Sequence, residues 1–309
     1  MKGKRRTALF LCGTLLCGTL GPAVSVSASA QDGVLDVPYV SLGADITPEE
    51  RTVVLELLGL TEESLANDQV VYVTNEEEHQ YLDSYIAYDV IGTEAKSCSM
   101  IVGKEDGYGI QVTTKNIDYC TIEMYQNALA TAGVENADIT VAGPIKVSGT
   151  AGLIGVLEAY SVLTGEPLQA ESVDAAVNEL VTTGEIADVL GDSEKAAELI
   201  AAVKAAIVAE GLDDPDKEEE TIREYADEMG VALTDEEVQQ IVDVMQKIVD
   251  LDLDSSTLSS QLSGIYSKLD EMGISISKED VNNFMSTLGN WFASLFGSIG
   301  DWFKQLFGN

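Results

Sequence analysis

Apolar residues along this chain change their spacing twice. From Val37 to about Leu163 they come in short runs separated by helix-like stretches. Val37 to Leu42 reads as a first strand and Val70 to Val73 as a second, each rich in β-branched or aromatic residues. Between them Thr47-Pro48-Glu49-Glu50 spells a helix start, with Thr47 as cap, Pro48 in the first turn and Glu50 closing a capping box. Val53, Val54, Leu57 and Leu58 form its expected buried face and Gly59 its stop. A short acidic helix follows Thr74. Ser97 to Val102 and Gly109 to Thr114 flank Lys104-Glu105-Asp106-Gly107, a hairpin signal. Thr121 to Ala132 is helical, Asp138 to Ala142 a further strand, and Ser148 the expected cap of a helix reaching Leu163. Interleaved strands and helices predict an α/β domain with a mixed sheet over 37–165.

From 168 to 275 the spacing is helical. Ser172 to Val181 and Ser193 to Glu210 have glycine stops at Gly184 and Gly211, and 212–220 is an acidic linker around Pro215. Thr234 and Glu237 make another capping box ahead of Val238, Ile241, Val242, Met245, Ile248 and Val249. Leu258, Leu262, Ile265, Leu269 and Met272 continue the pattern. This half is expected to be an all-helical region. Ser277 then caps a last helix, 277–309, in which the aromatic residues concentrate. Trp291, Phe292, Phe296, Trp302, Phe303 and Phe307 recur at steps of three and four, which gathers them on one stripe of an amphipathic helix. Gly289, Gly297 and Gly300 each cost about 1 kcal/mol of helix propensity, so this segment needs a surface on which to fold. The candidates are a groove of its own helical half, a membrane interface, a protein partner or another copy. Its polar face has few basic residues, so any membrane contact would be hydrophobic rather than electrostatic.

Composition adds the compartment. Lys2, Lys4, Arg5 and Arg6 precede an apolar stretch from Ala8 to Leu20 and small residues ending in Ala28-Ser29-Ala30. That pattern fits a cleaved signal peptide over 1–30 and a secreted or envelope-associated protein. Loss of those four basic residues takes the formal charge from −36 to −40. Such a surface repels nucleic acid and anionic polymers, and loose surface Ca2+ binding would help to screen it. Two cysteines remain after cleavage, Cys98 and Cys120. They are a candidate disulfide in an exported protein, with free buried thiols as the alternative.

Several segments carry a resemblance. Thr74-Asn75-Glu76-Glu77-Glu78-His79 with Tyr81-Leu82, Ile91-Gly92-Thr93, Gly107-Tyr108-Gly109-Ile110, Glu123 to Leu129 and Val147-Ser148-Gly149-Thr150-Ala151 resemble the YpuA-like exported family of Gram-positive bacteria. So do Leu233 to Glu236, Leu251 to Asp254 and Ile265 to Leu269. The likeness spans roughly Val40 to Met272 and identifies a domain of unknown function, DUF1002. It implies an extracellular location and carries over no catalytic residue. Cys98 and Cys120 lie outside its pattern.

No strong catalytic constellation appears. His79 is the only histidine, so a zinc site or a serine triad would each have to be built around it. The plainer reading of Glu76 to His79 is a solvated acidic helix start. Asp250, Asp252 and Asp254 mimic the opening of a calcium loop, but Ser255 stands where glycine is expected. The most site-like stretch runs from Gly143 to Gly152, where Lys146, Ser148, Gly149 and Thr150 would offer donors to a small anion at a helix N-terminus. It lacks the endings of a P-loop or dinucleotide fingerprint, and capping with close helix–sheet packing is the structural alternative. The sequence therefore predicts an exported, non-enzymatic protein that acts through its aromatic helix over 281–309, as monomer or homo-oligomer. The alternative is an exported small-ligand-binding protein or enzyme with its site at Ser148-Gly149-Thr150. A secreted membrane-active factor is a third reading.

Overall fold

The computed structural model describes residues 37–65, 69–165 and 167–251, together with 253, 257, 258, 261 and 265. The expected signal peptide and the aromatic helix over 277–309 lie outside these residues, as do Asp252 and Asp254. The chain alternates β1 (Pro38–Gly43), α1 (Pro48–Leu58), α2 (Glu62–Leu65), β2 (Gln69–Val73), α3 (Asn75–Leu82), α4 (Tyr88–Ile91), β3 (Cys98–Gly103), β4 (Ile110–Ile117), α5 (Ile122–Thr131), β5 (Ala137–Val147) and α6 (Thr150–Thr164). It then becomes helical through α7 (Ala170–Leu190), α8 (Ser193–Glu210), α9 (Pro215–Glu228) and α10 (Asp235–Val249). This is the α+β arrangement that the change of spacing predicts.

The sheet is five-stranded and mixed, in the order β2-β1-β3-β5-β4. The expected hairpin between β3 and β4 is not formed. β5 lies between them, antiparallel to β3 and parallel to β4. The burial of each strand explains the choice. β5 is buried from Val141 to Pro144, whereas β4 alternates at its start in the half-buried manner of an edge. The turn over 104–109 is wide enough to receive a third strand. Asn136, just ahead of β5, accepts the amides of Gly107 and Gly109 on its Oδ1, each at 3.0 Å.

Alternation along the strands divides two apolar cores. Val40, Leu42, Cys98 and Ala142 face α1 and α2. Tyr39, Ile101, Ile139 and Val141 face a second cluster with α5 and α6 that continues into α7 through α10. The helical half is thus packed on the sheet through α5. Cys98 and Cys120 fall in these two different clusters, on opposite faces of the sheet, and both are free buried thiols. The candidate disulfide is therefore corrected. A bridge needs Cα atoms within about 4.4–6.8 Å, and an intervening sheet prevents that approach.

Caps at Thr47, Thr74 and Thr234 form full capping boxes, and Thr121 caps α5. Other boundaries move. The buried face of α1 is Val54, Leu55 and Leu58, with Val53 exposed. Gly184 does not stop α7, which runs on to Leu190. It is a buried glycine where an added methyl would come within 2.8 Å of the Tyr119 hydroxyl. The acidic linker is short, because Asp214 caps α9 and Pro215 begins it. Glu218 is then buried rather than solvated.

Candidate functional site

Four of the segments singled out in the sequence meet at one place. On α3 the capping box consumes Glu77, and the next carboxylate, Glu78, shares the buried face with Leu82 four residues on. Glu78 is 1% exposed. Its Oε1 accepts the Thr150 hydroxyl at 2.8 Å, across 72 residues of sequence. Its Oε2 accepts from Asn75 Nδ2 at 3.2 Å. Burial pushes this carboxyl above the usual range, against the pull of the Thr150 and Asn75 hydrogen bonds.

Thr150 begins α6, and the cap is Gly149, not the expected Ser148. Gly149 has φ 98°, a conformation that suits glycine. An added Cβ would also lie 2.5 Å from the Tyr125 hydroxyl. That hydroxyl donates to the Gly149 carbonyl at 2.6 Å. Ser148 Oγ and Thr150 Oγ1 are 3.0 Å apart. One turn along, the Gly152 amide donates to Ser97 Oγ at 2.7 Å. Lys146 is exposed, out on the last residues of β5. The loop's hydroxyls and the Gly152 amide are thus engaged by groups of the chain itself, one of them an acid.

His79 belongs to the same corner. Its Nδ1 lies 2.6 Å from Asp83 Oδ1 and its Nε2 3.0 Å from the Gly92 carbonyl. The ring stacks on Tyr88 with centroids 4.4 Å apart. The solvated helix start is corrected here: Glu76 stays in solvent, but Glu78 is buried and the His79 side chain is only 15% exposed. The Asp83 carboxylate raises the imidazole above its ordinary value, and the Gly92 carbonyl adds to this against partial burial. Gly92 has φ 82° and ψ −161°, a region essentially restricted to glycine.

Elsewhere the two thiols are quiet. Burial pushes both Cys98 and Cys120 up to about 12, so neither is a thiolate near neutral pH. Glu158 of α6 is raised to about 7 by burial and then by Glu77. Among the described residues, no three or more His, Cys, Asp or Glu are grouped to hold a metal ion, and no helix is long and apolar enough to cross a membrane. A cleft of about 200 Å³ lies between α8 and α9, lined by Glu210, Lys217, Glu220, Thr221, Glu224 and Tyr225. Small-molecule sites usually measure about 300–1,000 Å³ and are mostly apolar, so this one is small and polar for the role.

The sequence reading missed Glu78, Asn75 and Gly92 as partners. A signal for Glu78 was present, since its spacing of four from Leu82 places it on the buried face of α3.

Comparison with known proteins agrees with the converging segments. The family described as "Protein of unknown function (DUF1002)" matches residues 42–265. "Uncharacterized protein YpuA" of Bacillus subtilis (strain 168) is 36% identical over 278 residues, covering 90% of this chain and 92% of that protein. No solved structure matches. With the match running from the end of β1 through the other four strands, the Glu78–Thr150 corner and the helices through α10, the chain belongs to the DUF1002 family.

Proposed function

We propose that this is an exported, non-catalytic protein of the bacterial cell envelope or extracellular space, which acts by binding. The observation that carries the non-catalytic reading is the engagement of its reactive side chains. Its single histidine faces acceptors on both ring nitrogens, the Thr150 hydroxyl is given to a buried glutamate, and both described cysteines are buried neutral thiols. A nucleophile or base must be open to a substrate, whereas the Thr150 hydroxyl, both ring nitrogens of His79 and the two thiols are taken up inside the chain. Export rests on the basic, apolar and small-residue order of 1–30. The contact to a membrane interface, a protein partner or a second copy is assigned to 281–309, whose aromatic stripe needs a surface.

Two measurements test this reading. Fractionation of the native host should place the protein outside the cytoplasm, with an N-terminus near Gln31. Full-length protein should float with zwitterionic liposomes, or associate in sedimentation, more than a chain ending at residue 280. Cytoplasmic retention would overturn the export assignment. Equal behaviour of the two chains in both assays would overturn the role of 281–309.

A further inference from the structure

A histidine that faces two acceptors has only one charge state that serves both. In the neutral ring one nitrogen carries a proton and the other a lone pair. With Asp83 Oδ1 at 2.6 Å and the Gly92 carbonyl at 3.0 Å, either neutral tautomer turns a lone pair towards an oxygen. Only imidazolium donates to both. The ring's stacking on Tyr88 fixes it in the plane between them.

What the ring holds is a small, poorly anchored element. α4 has four residues, and its cap at Ala87 makes no side-chain hydrogen bond. It exposes Tyr88 and Val90. Its far end is Gly92, whose backbone angles are open to glycine. Two side chains reach the Gly92 carbonyl: His79 Nε2 and, at a longer 3.4 Å, Asn75 Nδ2. Asn75 also bonds Glu78, which holds Thr150, so the carbonyl is linked to the start of α6.

We propose that His79 is a proton-operated clamp. Doubly protonated, it ties α3 to the Gly92 carbonyl and holds α4 in place; neutral, with the remaining proton kept on Nδ1 by the Asp83 carboxylate, it gives up that carbonyl and frees α4 with its exposed tyrosine.

The surrounding charges support the sign. From its own helix Glu78 and Asp83 face the ring, both acids, and α4 contributes Tyr88. On the elements packed against α3, Glu158 of α6 opposes Glu77, and Asp174 of α7 is held by Tyr85 and Lys247. Beyond Gly92, Glu94 is paired with Lys96. The environment is acidic and favours imidazolium, consistent with the raised value of His79. A group raised in the fold contributes fully below its unfolded value of about 6.5. That contribution is lost as pH rises through the higher folded value, so the clamp opens on the alkaline side.

Because His79 is the only histidine, its ring resonance in a nuclear magnetic resonance titration of the full chain is unambiguous. The expected midpoint lies above 6.5, and Asp83→Asn moves it down. Amide hydrogen exchange over 88–95, corrected for base catalysis, should rise roughly ten- to hundredfold across that midpoint, the loss of one charge-assisted hydrogen bond. In His79→Gln the corrected exchange should be flat with pH. A ring that titrates at or below 6.5, exchange that ignores the ring's midpoint, or a pH dependence that survives in His79→Gln would each overturn the clamp. If His79→Gln does not fold, Asp83→Asn decides: the exchange midpoint over 88–95 must move down with that of the ring, and an exchange midpoint that stays put overturns the clamp.

Discussion

Lys204 Nζ and Glu179 Oε1 lie 2.7 Å apart, and neither side chain has any surface in solvent. The pair joins α8 to α7 and is extended to α5 by hydrogen bonds. Lys204 donates to the Asn127 carbonyl at 3.0 Å and to Thr131 Oγ1 at 3.1 Å, while the Thr131 hydroxyl donates to Glu179 Oε2 at 2.5 Å. Burial presses both groups towards their neutral forms, raising Glu179 and lowering Lys204, and their attraction opposes this. Breaking such a pair on one side strands a buried charge, at a cost of about 3–5 kcal/mol. Lys204→Met should therefore lose about that much in urea unfolding. The double change Lys204→Met with Glu179→Leu should recover most of it, because no charge is left unpaired. A double variant no better than the single would mean that the pair is not the source of the loss.

Glu218 should be a net cost to the fold. It is fully buried, and among the described residues neither carboxylate oxygen has a hydrogen-bond partner. It starts a stripe that continues through Ile222, Tyr225 and Ala226, where an apolar residue would be ordinary. Burial, then Asp214 and Asp213, push its carboxyl up to about 6. An acid raised in the fold is better tolerated when protonated, so its burden grows as pH rises from about 4.5 through about 6. Glu218→Leu is expected to raise the Tm at pH 7.5 more than at pH 4.5. Equal shifts at the two pH values would show that the charge is not what costs.

Gly155 is needed for space. α6 lies so close to the sheet that an added Cβ would sit 2.0 Å from Ser41 Oγ and 2.6 Å from Ser41 Cβ. Ser41 and Ser99 are register partners on β1 and β3, both fully buried. Gly155→Ala should therefore destabilise by about 1–3 kcal/mol through overpacking. Ser41→Gly in the same chain should return part of that loss in thermal unfolding. If the two changes simply add, the steric account fails.

The thiols offer a direct check on sheet placement. Cys98 is within 3.3 Å of the Gly43 amide, and Cys120 lies in the opposite core. In a chain lacking residues 1–30, a thiol reagent should react negligibly with native protein and with both cysteines after unfolding, without reductant. Two unreactive sulfurs in denaturant would indicate a bridge and contradict the arrangement.

How legible each part was follows from the range of the interaction behind it. The threonine capping boxes at Thr47, Thr74 and Thr234 close within four residues, so their sequences contain the whole interaction. Gly184 misled for the opposite reason: a glycine reads locally as a stop, yet its neighbour is Tyr119, far away in sequence. The β3–β4 turn misled because turn chemistry says that the chain reverses and not what lies between the strands. The candidate site was half legible. The segments 74–79 and 147–151 stood out separately, but the hydrogen bond that joins Glu78 to Thr150 spans 72 residues.

Taken alone, the sequence determined the interleaved strands and helices, the helical second half, the caps and the acidity, because periodicity and end chemistry are short-range. Tertiary structure alone decided that β5 enters between β3 and β4, that the cysteines part across the sheet, and that Glu78, Glu179, Lys204 and Glu218 go inside. Those outcomes depend on which apolar faces must be covered at once, and that competition is settled only when the whole chain packs.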